Sequence, residues 1–271
     1  MPELPEVETT VRGLERFLLG QRITHLQLNR PDMRFAFPTG LVQALTGATV
    51  SALGRRAKYG LIHTDRDTTL VFHLGMSGTW RINPAAPDKH DHLLMEAGGH
   101  HFTLNDPRRF GFVDLVDTPL LDQWPAFAVM GPEPLGDLLD ADHLHRALAG
   151  RKQAIKLMLL DQRVVAGLGN IYVCEALFAA GIDPRKAAGR VSKAALVRLV
   201  PAIRAVLLQS IANGGSTLRD YVQPDGELGY FATRFAVYGR EGQPCPHEDG
   251  GVIRRVTQGG RSTWFCPRCQ K

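Results

Sequence analysis

Cysteine is scarce in this chain, at 4 of 271 residues. That excludes a disulfide-built scaffold, and the grouping of Cys245, Cys266 and Cys269 at one end reads instead as a metal site in a reducing compartment. Long apolar runs are also wanting: no stretch approaches the roughly 18 residues that cross a bilayer, so no membrane span is expected. The opening segment is acidic and amphipathic, unlike a secretory signal, which predicts a cytosolic protein. Internal repeats and low-complexity tracts are missing, which excludes solenoids and extended disordered segments. Acidic residues are absent from position 250 onward, so the last segment carries basic charge only.

What is present points to a polyanion. The net charge is +5 and the pI about 9.2, a moderate basic excess on an otherwise ordinary composition with 44% hydrophobic and 22% charged residues. A chain of 271 residues suits two domains of usual size. In the opening "MPELPEVETT" and beyond, Val7, Val11, Leu14 and Leu18 recur at helical spacing, with Pro5 suited to the first turn and Gly20 as a stop. The terminal amine therefore lies just ahead of a helix. Residues 22–116 read as all-β, with alternating segments such as "TTLVFHL" and "HHFTLNDP" broken by Gly, Pro, Asn and Asp. After the break at "MGPEPLGD" the period changes. "ADHLHRALAG", "KQAIKLMLLD", "NIYVCEALFAAG" and "SKAALVRLVPAIRAVLLQSIA" read as helices, the last bent at Pro201.

Several motifs carry chemistry. Cys266-Pro-Arg-Cys269 supplies two metal ligands on one turn and Cys245 a third, the layout of a zinc ribbon on a β-hairpin. Where a second CxxC would place its cysteine stands Glu248, while His247 sits one place earlier; a Cys₃His zinc site using His247 is the expectation, and Cys₃Glu would be unusual. Arg254, Arg255 and Arg261 between the ligands suit a hairpin laid against a phosphate backbone. "VVAGLGNIYVCEALF" is a glycine-rich turn feeding a helix with Asn170 as the expected N-cap, a place where backbone N–H groups meet an anion or simply an ordinary capped helix. "LGRRAKYG" groups Arg55, Arg56 and Lys58, and "NDPRRFGF" puts Phe110 beside Arg108 and Arg109; an aromatic at such a tip suits insertion into a base stack. Met76 in "HLGMSG" stands on a similar glycine-flanked turn.

These pieces together resemble the formamidopyrimidine-DNA glycosylase family, end to end: "PELPEVET", "RRAKYG", "HLGMSG", "NDPRRFG", "MGPEPL", "KQAIKLMLLDQRVVAGLGNIYVCEALF", "GGSTLRDY" and the cysteine hairpin. The departure is the cysteine set, which lacks one cysteine at Glu248 and is one residue longer between the pairs. The resemblance implies an α+β fold: an N-terminal helix with a two-layer antiparallel β-sandwich (1–131), a helical helix-two-turn-helix domain (137–234) carrying a lesion-recognition loop (213–231), and a β-hairpin zinc-finger-like module (235–271). It implies one structural zinc ion held by Cys245, His247, Cys266 and Cys269, and a monomer acting on duplex DNA that contains oxidised bases or abasic sites.

Residue roles follow from the same resemblance. Met1 is trimmed, Pro2 attacks the sugar through its amine, Glu3 is the acid/base residue, and Lys58 contacts a phosphate beside the lesion. His73, Met76, Arg108, Phe110, Lys156, Asn170, Tyr238 and Arg261 bind DNA, with Met76, Arg108 and Phe110 filling the gap left by a flipped nucleotide. Glu6, Ser216, Thr217, Arg219 and Tyr221 contact the damaged base, although Glu6 also suits helix capping alone. The expected activity is excision of oxidised purines followed by β,δ-elimination. The alternatives are an endonuclease VIII-like glycosylase for oxidised pyrimidines and a damage-binding protein without catalysis.

Overall fold

The computed structural model describes residues 2–215 and 235–271. The chain divides into two compact units, one of residues 1–128 and 211–232, the other of 129–210 and 233–271.

The first unit opens with helix α1 (Leu4–Leu18), whose Val7, Val11, Leu14 and Leu18 are buried on one stripe. Eight antiparallel strands follow: β1 (Ile23–Leu28), β2 (Val50–Arg56), β3 (Tyr59–Thr64), β4 (Thr68–His73), β5 (Thr79–Ile82), β6 (Asp91–Ala97), β7 (His100–Asn105) and β8 (Phe112–Asp117). They form two four-stranded sheets, ordered β1-β6-β7-β5 and β2-β3-β4-β8. One apolar cluster draws on both, with Leu26, Trp80, Met95 and Phe102 from the first sheet, Val50, Ile62, Leu70 and Phe72 from the second, and the buried stripe of α1. That shared core makes the pair a two-layer sandwich. Gly60 lies opposite Phe72 across β3 and β4, and a Cβ there would stand 2.0 Å from the ring, so only glycine lets Phe72 fill that layer. Two short helices, α2 (Leu41–Leu45) and α3 (Pro125–Ala128), also belong to this unit. The first interrupts the region read as all-β. At five residues it is too short to show a helical period, and a glycine, Gly40 at φ +80°, starts it.

The second unit holds α4 (Ala141–Leu148), α5 (Ile155–Leu160), α6 (Asn170–Ala179), α7 (Lys193–Ala212) and the hairpin β9 (Arg254–Gln258) with β10 (Arg261–Phe265). Helix α6 is buried on every side from Ile171 to Phe178, as its almost uniformly apolar sequence requires. Its Cys174 and Phe178 pack with Val237, Cys245, Ile253 and Cys266, tying the helix to the hairpin module. Helix α7 continues through Pro201. It corrects one expectation: at 20 residues and a mean hydropathy of 1.6 it is long and apolar enough to cross a membrane. Its Leu196, Leu199, Ile203 and Leu207 are buried and Arg204 donates to the carbonyls of Gly136 and Leu139, the pattern of a core helix.

Candidate nucleic-acid interface and metal centre

Pro2 is buried, and Glu3 follows as the N-cap of α1 with only 1% of its surface exposed. The backbone N–H of Glu3 donates to Glu6 Oε2 at 2.8 Å, the reach-back half of a capping box. Glu6 is thus a helix-capping residue. It also stands beside Gly215, whose added Cβ would lie 3.4 Å from its carboxylate oxygen. Ser216, Thr217, Arg219 and Tyr221 lie outside the described residues.

Lys58 sits on the turn between β2 and β3, after Ala57 in the left-handed region at φ +53°. That unusual turn is pinned by Arg55, which donates to the Ala57 carbonyl at 2.9 Å and pairs with Glu8 of α1 at 2.8 Å. Burial raises the Glu8 carboxyl, but the Arg55 and Arg12 guanidiniums more than offset it and the net shift is downward.

A cleft of about 570 Å³ gathers four of the expected DNA-binding residues, His73, Met76, Arg108 and Phe110, and adds Met33, Arg34, Gly75 and Arg109 to its wall. Gly75 is obligatory: it adopts φ +64°, and a Cβ would lie 2.3 Å from the Phe110 carbonyl carbon. The loops carrying Met76 and Phe110 are latched by Asp106, a fully buried carboxylate. It accepts from Ser77 Oγ at 2.6 Å and from the N–H of Gly111 at 2.8 Å. His73 Nδ1 accepts the Gly75 N–H at 3.0 Å, which leaves Nε2 as the protonated nitrogen. Burial, and then the charges of Lys58 and Arg34, push His73 down to about 4, so it is neutral at physiological pH. Arg34 and Asp106 escaped the sequence reading because their partners, Gly111 for Arg34 and Ser77 for Asp106, lie far away in sequence.

In the second unit α5, a glycine turn and α6 form the helix, turn, helix element. Gln162 holds the turn, accepting the Gly167 N–H at 2.8 Å and donating to the Leu168 carbonyl at 2.9 Å. Asn170 is not the N-cap; Gly169 is, and Asn170 is the first helical residue. Its Nδ2 donates to the Ser262 carbonyl at 2.9 Å because the hairpin packs there. Lys156, expected to contact DNA, is fully buried, and its amine donates to Ser262 O at 3.2 Å and Thr263 Oγ1 at 2.8 Å. Both residues anchor the strand whose first residue, the exposed Arg261, faces solvent. Tyr238 is half-buried against Trp264, with ring centroids 4.2 Å apart. Its segment is fixed by the buried Glu175, which accepts the N–H groups of Ala236, Val237 and Tyr238. Burial raises the Glu175 carboxyl, opposed by those donors.

At the module's base the thiols of Cys245, Cys266 and Cys269 converge with the carboxylate of Asp249, all ligand atoms lying within 4.8 Å of one another. His247, the expected fourth ligand, instead stacks on Phe178, with centroids 4.6 Å apart and 22° between planes. Glu248 takes up a left-handed turn at φ +53°, closed by its N–H on the Cys245 carbonyl, and this delivers residue 249 to the thiols. The residues fit zinc. Sulfurs about 2.3 Å from a tetrahedral zinc stand about 3.8 Å apart, and those of Cys245 and Cys269 are 3.8 Å apart. Burial, then the neighbouring Cys266 and Cys245, push the Cys269 thiol up to about 12, so a cation is needed to hold all three as thiolates. Gln270 closes the site from behind, accepting the Cys266 N–H and donating to the Ile182 carbonyl, each at 2.8 Å.

Comparison with known proteins accounts for all three regions. Residues 1–113 match the formamidopyrimidine-DNA glycosylase N-terminal domain, 130–222 the H2TH domain of the same enzyme, and 242–271 the zinc finger found in FPG and IleRS. The chain is 74% identical over 271 residues to a formamidopyrimidine-DNA glycosylase of Erythrobacter litoralis and 66% identical over 272 residues to that of Novosphingobium aromaticivorans, each covered completely on both sides. A Lactococcus lactis FPG variant bound to Fapy-dG-containing DNA superposes with a TM-score of 0.92 at 35% identity, with full coverage of both chains. MutM (FPG) from Thermus thermophilus gives 0.89 at 39% identity, covering 99% of this chain and 98% of its own. With a sandwich headed by a capped helix, a helix-two-turn-helix unit and a thiol-rich hairpin all matched at this identity, the chain belongs to the formamidopyrimidine-DNA glycosylase family.

Proposed function

We propose that the chain acts as a monomeric DNA glycosylase and AP lyase that removes oxidised purines from duplex DNA in the bacterial cytosol, with Pro2 as nucleophile. The observation that carries this reading is the burial of Pro2 and Glu3 at the capped head of α1. Once Met1 is trimmed, Pro2 presents a secondary amine. An α-amino group titrates near 8 against about 10.4 for lysine, and burial with the positive helix end favours the neutral, attacking form.

The amine nitrogen bonds to the deoxyribose anomeric carbon while Glu3 protonates the ring oxygen; the ring opens and the base leaves. The resulting iminium draws electrons from the neighbouring carbon, whose proton is lost as the 3′ phosphate departs, and a second elimination releases the 5′ phosphate. Lys58, Asn170, Tyr238 and Arg261 are assigned to the DNA backbone, and Met76, Arg108 and Phe110 to the space vacated by the flipped nucleotide. Lys156 and Glu175 are positioning residues for the hairpin and for Tyr238. Zinc, where bound by Cys245, Asp249, Cys266 and Cys269, supplies a structural cross-link and no step of the reaction.

Borohydride trapping tests this directly. The trimmed chain should give a covalent adduct with a duplex carrying 8-oxoguanine opposite cytosine, and Glu3→Gln should lower base release by at least about 100-fold. Absence of an adduct from chain shown by mass to lack Met1 defeats the covalent reading, and faster release of thymine glycol moves the substrate class to pyrimidines.

A further inference from the structure

Arg34 and Phe35 lie in the loop between β1 and α2, which none of the sequence motifs reaches. The Arg34 guanidinium sits over the Phe35 ring, 5.4 Å from its centroid, and the ring is 57% exposed while meeting Phe112 edge-on at 5.4 Å. On the facing loop Arg108 lies over Phe110 at 5.0 Å, with Phe110 42% exposed. The same device, an arginine stacked on a solvent-facing phenyl ring, therefore occurs twice around one cleft. The two loops are joined, since the Arg34 N–H donates to the Gly111 carbonyl at 3.1 Å.

The charge pattern makes this more than two ordinary surface residues. Arg34, Arg108 and Arg109 all line the cleft, and among the described residues no carboxylate does. Arg109 reaches Asp32 at 3.4 Å, whereas among the described residues no carboxylate or carbonyl engages the guanidinium of Arg34. Its field reaches inward far enough to help hold His73 neutral. Guanidiniums gathered around one cleft favour an anion there, and a phosphate accepts the flat guanidinium fork on two oxygens.

We propose that Arg34 and Phe35 form a second DNA contact on the rim of this cleft: Arg34 takes a backbone phosphate of the duplex beside the lesion, and Phe35 lies against the adjoining deoxyribose. The contact rests on the glycosylase reading and extends it beyond the residues assigned there. A phosphate contact releases counterions, and a sugar contact does not, so the two residues have separable signatures.

The test is binding of a fluorescent duplex carrying a tetrahydrofuran abasic analogue, measured by anisotropy across a KCl series. Arg34→Ala should weaken binding several-fold at low salt and reduce the slope of log affinity against log salt by about one. Arg34→Lys should retain the slope, and Phe35→Ala should weaken binding at every salt concentration with the slope unchanged. Both sites are exposed, so the melting temperatures should match wild type. Wild-type affinity and slope in Arg34→Ala, from protein whose parent traps a borohydride adduct, overturn the contact. A parent that traps nothing while the slope difference persists overturns the enzymatic reading and leaves the contact standing.

Discussion

His73 illustrates how a residue's role emerges only from its neighbours. In sequence it is the end of an alternating strand; in the structure its ring stacks on Phe112 with 15° between planes, and one nitrogen is committed to Gly75. Its pKa of about 4 lies below the ordinary 6.5, so between these values the unfolded chain binds a proton that the folded chain refuses. Stability is then fully present above about 6.5 and falls as pH drops toward about 4. Urea unfolding across this range should show that decline in wild type and a shallower one in His73→Gln. Met76, Arg108 and Phe110 were legible because glycine and arginine beside a large apolar side chain break the strand alternation. Arg34, Asp106 and Asp249 were not: Arg34 has the arginine and aromatic pair but no flanking glycine, and each acquires meaning from partners distant in sequence.

At the scale of elements, periodicity did its work wherever an element exceeds two turns or pairs along its length. The α1 stripe, the β region and α7 were all visible, whereas α2 and the capping of α6 were decided by a single glycine and a distant hairpin. Loops are less transparent. Asp106 clamps two of them, and removing its carboxylate strands the Ser77 hydroxyl and the Gly111 N–H. Asp106→Ala should therefore destabilise the chain by about 2–4 kcal/mol in denaturant unfolding. Ser77→Ala, which leaves the carboxylate its backbone donors, should lose only about 1 kcal/mol. Asp106→Ala should also weaken binding to damaged duplex more than to undamaged duplex, because the clamp carries the Met76 and Phe110 loops.

For the whole molecule, the division into two units with separate apolar clusters means that a perturbation in one has its own signature. Zinc belongs to the second. Asp249→Ala should lower zinc affinity at least about tenfold, whereas His247→Ala should leave the metal content at one ion per chain; mass spectrometry of the native protein reads both. Chelation should raise hydrogen exchange across 235–271 and leave the sandwich strands protected, and uniform loosening would contradict the assignment. The basic net charge, read from composition alone, foretold a polyanion but not where it binds, because charge totals carry no geometry.

Pro2 is buried at the head of a helix, and the Gln270 side chain is sewn between Ile182 and Cys266. For anyone handling the protein, this decides where foreign sequence can go. Sequence joined beside Pro2 would crowd the buried head of α1, whereas the Gln270 hydrogen bonds lie immediately behind the thiols. The exposed 85–89 turn between β5 and β6 is the better place for a label.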